Sequence, residues 1–301
     1  MISFVIPVKN GAKYLHGALG PFLSLDANID WELVIVDDHS TDDTRILIEQ
    51  NQAKTDRIKY FLNIGKGKVE ALNYGYSKST GRVIKFIDAD DILTKGFFEH
   101  LNELELYDAH CHDAFVVTEG LRSIGRYNVN PDILNREYSY VLQNIVAIPR
   151  WSWSMKREIA NRVFPIPEEL PFEDVWFSLV IKLNARNILH IKKPCYLYRQ
   201  HSNQTYGGVL NYSKKALNFR ANRLLVLIEA FENHQDKLNI KSNDNFVYIK
   251  SYYSLLKSNF DLFDMVTSPL SFKHKVRVIL ISFFPRLAKV ATIAKWKLDG
   301  L

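Results

Sequence analysis

Short apolar runs and amphipathic stretches alternate along the first 90 residues. Residues 4–8, 33–37, 58–62 and 83–88 read as strands, and the segments near 12–25, 42–53 and 67–79 carry helical spacing. Continuous apolar strands separated by amphipathic helices predict an α/β fold with a mostly parallel sheet covered on both faces. From about residue 92 the pattern is mixed: residues 114–118 and 151–155 predict strands, residues 131–145 and 173–184 helices. Pro165, Pro167 and Pro171 make the approach to the last of these a constrained, non-helical lead-in. Beyond Gly207-Gly208 the chain changes character, with residues 211–264 helical throughout. The expected organisation is therefore a domain over 1–206, in halves 1–91 and 92–206, followed by a helical region over 207–301.

Ligands of such sheets bind beyond the carboxyl ends of the strands. Standing there are Pro7-Val8-Lys9-Asn10-Gly11, Asp37-Asp38-His39-Ser40 and Asp88-Ala89-Asp90-Asp91, three polar clusters expected to converge on one edge. Asp88 and Asp90, one residue apart, suit a divalent cation, Mg²⁺ or Mn²⁺, and through it a diphosphate; the plainer alternative is a polar loop with helix-capping aspartates. Capping accounts for Ser40 or Thr41, whereas Asp37 and Asp38 before them would suit a nucleobase or ribose. The loop Asn63-Ile64-Gly65-Lys66-Gly67-Lys68 fits neither glycine-rich phosphate fingerprint. Lys66 and Lys68 at a helix start would attract phosphate or be solvated. Glu173-Asp174 opens a helix, where acids favour the macrodipole. A carboxylate flanked by Phe172 and Trp176 would instead be desolvated, with basicity raised toward that of a general base. Tyr198-Arg199-Gln200-His201 leaves an apolar strand with a cation and an imidazole pointing back toward the same edge.

The chain has 301 residues, 47% of them hydrophobic and 24% charged, a formal net charge of +6 and a pI near 9.1. The excess charge suits anionic partners and is uneven: residues 265–298 hold seven Lys or Arg and no acid. In that tail Val276, Ile279, Leu280 and Phe283, then Leu287, Val290, Ala291 and Ala294, recur at helical spacing on either side of Pro285. Basic residues beside apolar faces point to docking on an anionic membrane surface; packing against the rest of the chain or a second subunit would use the same faces. Without aromatics interleaved for stacking, the tail does not suit nucleic acid. Cys111 and Cys195 are far apart, which argues against a disulfide framework or zinc site and for a reducing compartment. The amino terminus begins a strand at once and lacks signal-peptide features, and no apolar stretch reaches spanning length, so a cytoplasmic protein, peripheral on the cytoplasmic face of the membrane, is expected.

Taken together these residues resemble the family 2 glycosyltransferases, which have the GT-A fold. The resemblance runs from Ser3 to about Thr205 and rests on five ordered motifs. These are Ser3–Asn10; Glu32–Asp42; Asn63-Ile64-Gly65 with Ala71, Asn73 and Gly75; Ile87-Asp88-Ala89-Asp90-Asp91; and Phe172-Glu173-Asp174 with Tyr198-Arg199-Gln200-His201. It implies an inverting, metal-dependent transfer of a sugar from a nucleotide-sugar, most often a UDP-sugar, to a saccharide or lipid-linked acceptor. It further implies that Pro7 and Val8 through their backbone, with Asn10 and Asp38, hold the donor nucleotide, joined by Lys66 and Lys68. Asp88 would contact the ribose side, Asp90 would ligate Mn²⁺ or Mg²⁺, and His201 would join the metal or phosphate site. Asp174 would be the base, with Glu173 beside it near the acceptor and Trp153 lining the acceptor side. Two other readings are a non-catalytic nucleotide-sugar-binding protein and a sugar-nucleotide pyrophosphorylase. The latter needs a glycine-rich loop after the first strand, where this chain has Pro7-Val8-Lys9-Asn10-Gly11.

Overall fold

The computed structural model describes the chain apart from residues 27, 139, 142–145, 171–172, 202–212, 239–243, 258–261 and 299–301. The chain divides into two compact units, one formed by Met1–Glu168 with Phe172–Asn203, the other by Glu169–Pro171 with Gln204–Leu301. The predicted boundary at Gly207-Gly208 lies outside the described residues.

The first unit opens β1 (Ile2–Val8), α1 (Ala12–Leu23), β2 (Trp31–Asp37), α2 (Thr44–Gln52), β3 (Ile58–Leu62), α3 (Lys68–Lys78) and β4 (Val83–Phe86). These four strands run parallel in the order β3-β2-β1-β4, so the chain reverses its direction of sheet growth between β1 and β4. A crevice opens at such a switch point, beyond the strand ends. The alternation of side chains along β1 sorts the two faces. Phe4, Ile6 and Val8 pack with Leu15, Leu19 and Phe22 of α1, whereas Val5 meets α3. A Cβ on Gly75 of α3 would stand 2.5 Å from Val5 and 3.1 Å from Val36, so only glycine lets that helix lie so close.

Beyond β4 the unit continues with β5 (Ile92–Leu93), α4 (Lys95–Phe98), β6 (Ala109–Thr118), β7 (Ser123–Tyr127), α5 (Pro131–Asn135), β8 (Trp153–Lys156), α6 (Arg157–Val163), α7 (Asp174–Asn184) and β9 (Ile188–Gln200). The sheet becomes mixed here: β8 lies antiparallel between β4 and β6, β9 is parallel to β6, and β5 and β7 pair antiparallel with β9 and β6. Nine strands join in one sheet among the described residues. Two expectations need correction. The helix predicted over 131–145 is interrupted: α5 ends at Asn135, Arg136 takes extended backbone, and helical residues resume at Tyr138, while residues 142–145 lie outside the described residues. The strand predicted from residue 151 starts at Trp153, because Arg150–Ser152 form a 3₁₀ turn.

The second unit carries α8 (Lys214–Asn233), α9 (Gln235–Leu238), α10 (Asp244–Lys257), α11 (Leu262–Thr267), α12 (Phe272–Phe283) and α13 (Pro285–Leu298). Val278 of α12 is fully buried against Leu255, Met265 and Leu270, so α12 is part of this unit's core and not a detachable tail. No helix among the described residues is long and apolar enough to cross a membrane.

Candidate active site

The three strand-end clusters meet. Asp38 N–H donates to the Val8 carbonyl at 2.7 Å, Asn10 N–H to Ser40 Oγ at 2.8 Å, and Thr41 N–H to Asn10 Oδ1 at 2.8 Å. Asn10 and His39 both take left-handed backbone, φ 51° and 58°, at this crossing. The capping expectation for Ser40 and Thr41 fails: both bind Asn10, and the N-cap of α2 is Asp43, without a side-chain bond. Asp42 and Thr44 instead take the amides at the start of α1, those of Ala12 and Gly11. Asp37 is buried and receives Ser40 N–H and the Tyr60 hydroxyl, a structural role. Asp38 accepts from Asn63 Nδ2, Gly67 N–H and Lys9 Nζ, and thereby orders the loop before α3. Burial opposes its charge, but these donors hold its carboxyl below the usual range. Pro7 lies at the end of β1, in register with Val36.

Asp88 and Asp90 stand just past β4, on the other side of the switch point. Asp88 N–H donates to the Tyr196 hydroxyl at 3.0 Å, which ties this loop to β9. Lys68 from α3 reaches across, its Nζ 2.8 Å from Glu173 Oε1 and 3.6 Å from Asp88 Oδ1. Burial works against its charge, yet Asp88 and Glu173 outweigh that and hold its pKa above the ordinary lysine value. Lys66 is exposed and forms no ion pair among the described residues, so only the second lysine of the loop reaches the cluster.

Glu173 and Asp174 come to the same place from the start of α7, and Glu173, its N-cap, does not cap its own helix. Besides Lys68, they are joined to Asp88 by Arg150, a residue not singled out from the sequence. Its Nε donates to Glu173 Oε1 at 3.1 Å, its Nη2 to Asp88 Oδ1, and its main-chain N–H to Asp174 Oδ1 at 2.8 Å. Burial disfavours the ionised Glu173, but Lys68 and Arg150 prevail and hold it down to about 2. Asp174 moves the other way: burial first, then the negative Glu173 beside it, raise its carboxyl to about 6. Two adjacent carboxyls thus differ in kind, one held ionised and one poised to take a proton. Phe172, the expected neighbour of this pair, lies outside the described residues. Trp176 is fully buried, with its indole N–H on the Val163 carbonyl.

His201 Nε2 lies 2.9 Å from Asp90 Oδ2, and its ring stacks on Tyr14 at 5.0 Å. The Tyr14 hydroxyl donates to Glu119, which also pairs with Lys13. The Asp90 side chain keeps 32% of its surface exposed. One carboxylate and one imidazole fit Mn²⁺ or Mg²⁺ as a partial donor set. No group of three or more His, Cys, Asp or Glu suited to a metal occurs among the described residues, so substrate and water oxygens would complete the shell. Asp91 is buried and accepts Arg199 N–H at 2.7 Å; burial, then Asp90 and Asp88, push its carboxyl well above the ordinary value.

The acceptor-side expectation for Trp153 needs correction as well. Trp153 is fully buried in β8, which pairs with β4 and β6, and its Nε1 donates to the Ile148 carbonyl at 3.2 Å. A side chain with no exposed surface cannot line an acceptor groove. A second residue that the sequence analysis left unremarked, Lys85, lies fully buried in β4 with its Nζ 2.6 Å from His112 Nε2 and donating to the carbonyls of Trp151 and Trp153. Burial drives both titrating groups well below their ordinary values. The signal was present: Val83-Ile84-Lys85-Phe86-Ile87 places one cation inside an otherwise apolar strand.

A family model of glycosyl transferase family 2 matches residues 3–168, more than half of the chain. The chain belongs to glycosyl transferase family 2. An uncharacterized glycosyltransferase of Nostoc sp. is 32% identical over 173 residues, covering 55% of this chain and 53% of that protein. The Campylobacter jejuni GalNAc(5)-diNAcBac-PP-undecaprenol β-1,3-glucosyltransferase is 34% identical over 97 residues, 32% of this chain and 31% of that protein. The matched stretch thus spans about half the length of the first relative and a third of the second. Among solved structures, S. aureus TarS 1–349 in complex with UDP-GlcNAc is similar at a TM-score of 0.58 and 16% identity, over 99% of this chain and 92% of that one. The family 2 chain accordingly has a GT-A-type α/β fold, a central sheet flanked by helices, with further helices at its carboxyl end.

Proposed function

We propose that this family 2 glycosyltransferase moves a sugar, with inversion, from a UDP-sugar to an acceptor hydroxyl in the synthesis of a cell-surface polysaccharide or lipid-linked oligosaccharide. The observation that carries the reading is the Glu173–Asp174 pair. Asp174 is held through Oδ1 by an amide and has no hydrogen bond to Oδ2 among the described residues, beside a glutamate kept ionised by two cations. In the reaction Asp174 takes the proton of the acceptor hydroxyl as its oxygen attacks the anomeric carbon, and the bond to the nucleoside diphosphate breaks. One base suffices for inversion, with no covalent intermediate. The UDP donor is favoured by the UDP-GlcNAc bound in TarS, and the lipid-linked acceptor by the undecaprenol named in the C. jejuni relative. Incubation with a panel of nucleotide sugars and a divalent cation is expected to release the nucleoside diphosphate from one of them. Binding without release from any donor would favour the non-catalytic alternative.

Asp90 and His201 would hold Mn²⁺ or Mg²⁺ here, and a bound cation supplies neutralisation of the charge that builds on the leaving diphosphate. Asp90→Ala is then expected to abolish the chelator-sensitive part of donor affinity in calorimetric titrations with and without EDTA. Equal, chelator-insensitive affinity in both proteins would rule out a metal at Asp90.

The enzyme would work at the cytoplasmic face of a membrane, docked through α12 and α13. Phe272, Val276, Phe283, Leu287 and Val290 are exposed among Lys273, Arg277, Arg286 and Lys289. Each such charge near an anionic surface contributes about 1 kcal/mol, with apolar insertion adding to it. Because Val278 is a core residue, the test is substitution and not truncation. The quadruple change of those four basic residues to Gln is expected to abolish sedimentation with anionic liposomes at low salt while leaving diphosphate release on a soluble acceptor intact. A wild-type protein that ignores such liposomes would assign these faces to packing or to a second subunit.

A further inference from the structure

Arg150 is the one described residue that meets three carboxylates of the site at once: Asp174 through its amide, Glu173 through Nε and Asp88 through Nη2. Its side chain is only 1% exposed, and its Nη1 has no hydrogen-bond partner among the described residues. Placing a guanidinium there is costly unless paired, and the pairing it finds joins a carboxylate at a strand end to the pair at the start of α7. The turn that carries Arg150 is anchored from below. Lys85 holds the carbonyls of Trp151 and Trp153, and Ser152 Oγ both donates to the His112 carbonyl and accepts His112 N–H. Trp151 stacks on Tyr196 at 4.8 Å with the planes 1° apart, and Tyr196 in turn receives the amide of Asp88. Strand β4 therefore ends beside Asp88 and, through Lys85, fixes the turn whose arginine returns to Asp88.

We propose that Arg150 is a positioning residue of the transfer reaction, gripping Glu173 and Asp88 through its guanidinium while its amide holds Asp174, so that proton acceptor and donor-side carboxylate keep one fixed relation. The proposal rests on Asp174 being the base. The groups that face Asp174 are Glu173 on its own helix, Lys68 from α3 and Arg150 from the turn, with Asp88 paired to both cations and Tyr127 and Tyr198 within electrostatic reach. Burial and Glu173 raise the Asp174 carboxyl, and Lys68 and Arg150 oppose them. Loss of the guanidinium charge must therefore raise it further.

The test compares the pH dependence of kcat/KM for the full-length wild type, Arg150→Met, Arg150→Lys and Asp174→Asn, each with its urea midpoint. Arg150→Met is expected to lose roughly 10²-fold in kcat/KM and to move the acidic limb upward by about one pH unit. Arg150→Lys keeps the charge but not the planar fork; it should hold the limb in place and lose about tenfold or more at an unchanged urea midpoint. A uniform fall in Arg150→Met with the limb unmoved, or wild-type kcat/KM in either variant, overturns the proposal. If Arg150→Met does not fold, Arg150→Lys decides alone: a tenfold or greater loss of kcat/KM at an unchanged urea midpoint upholds the proposal, and wild-type kcat/KM overturns it. Retention of activity and of the acidic limb by Asp174→Asn would instead overturn the assignment of the base, whatever Arg150 does.

Discussion

Asp174→Asn is expected to lower the transfer rate by roughly 10²–10⁴-fold, the usual contribution of a positioned general base, while donor binding survives. An amide keeps the shape and can still accept the Arg150 N–H, but it cannot take the acceptor proton. The wild-type rate should rise with pH through an acidic limb near pH 6, because a base at Asp174 would act only when deprotonated and its carboxyl is raised to about 6. Glu173, held down to about 2, stays ionised across that range and adds no limb of its own. The same shifts act on stability with opposite signs. A raised Asp174 means that the folded state retains a proton the unfolded chain has shed, so this contribution is lost as pH climbs toward 6. The depressed Glu173 contributes above its unfolded value, and that is lost as pH falls toward 2. Single-turnover rates and donor titrations on the same preparations separate the outcomes. A fall in activity caused wholly by weaker donor binding would make Asp174 a structural carboxylate.

Trp153→Ala should behave in the opposite manner. The indole is fully enclosed in β8 and its N–H is satisfied by Ile148. Truncation leaves a cavity in the core packed against the sheet, for which about 3–5 kcal/mol is the usual cost. The urea midpoint should drop accordingly, whereas the acceptor KM of the remaining folded enzyme should not change. A higher acceptor KM at an undisturbed midpoint would return this tryptophan to the acceptor side.

Trp153 also marks where residue type alone misleads. Beside a polar turn, an aromatic residue serves equally well as a sugar platform or as core, and only its partners across the sheet decide. Those partners, Cys111 on β6 and the neighbouring β4, are far away along the chain. Lys66 and Lys68 show the same limit at shorter range. They flank one glycine and look equivalent, yet only Lys68 reaches Glu173 and Asp88.

What the chain encodes locally was legible. The apolar runs that became β1, β2, β3 and β4, and the amphipathic stretches between them, follow from side-chain periodicity, which needs no knowledge of distant contacts. Their order, with Pro7-Val8-Lys9-Asn10, Asp37-Asp38 and Asp88-Ala89-Asp90 at the carboxyl ends, was enough to place a polar crevice at one edge of a parallel sheet. Arg150 was not legible, because between Pro149 and Trp151 it carries no pattern of its own. Its meaning comes from Asp88, 62 positions earlier, and Glu173, 23 later, which only the packing of β4, β8 and α7 brings within hydrogen-bond reach. The difference between Glu173 and Asp174 arises in the same way. Side by side in sequence they are two similar acids; in three dimensions burial and the neighbouring Glu173 raise Asp174, whereas Lys68 and Arg150 pair with Glu173 and leave it ionised.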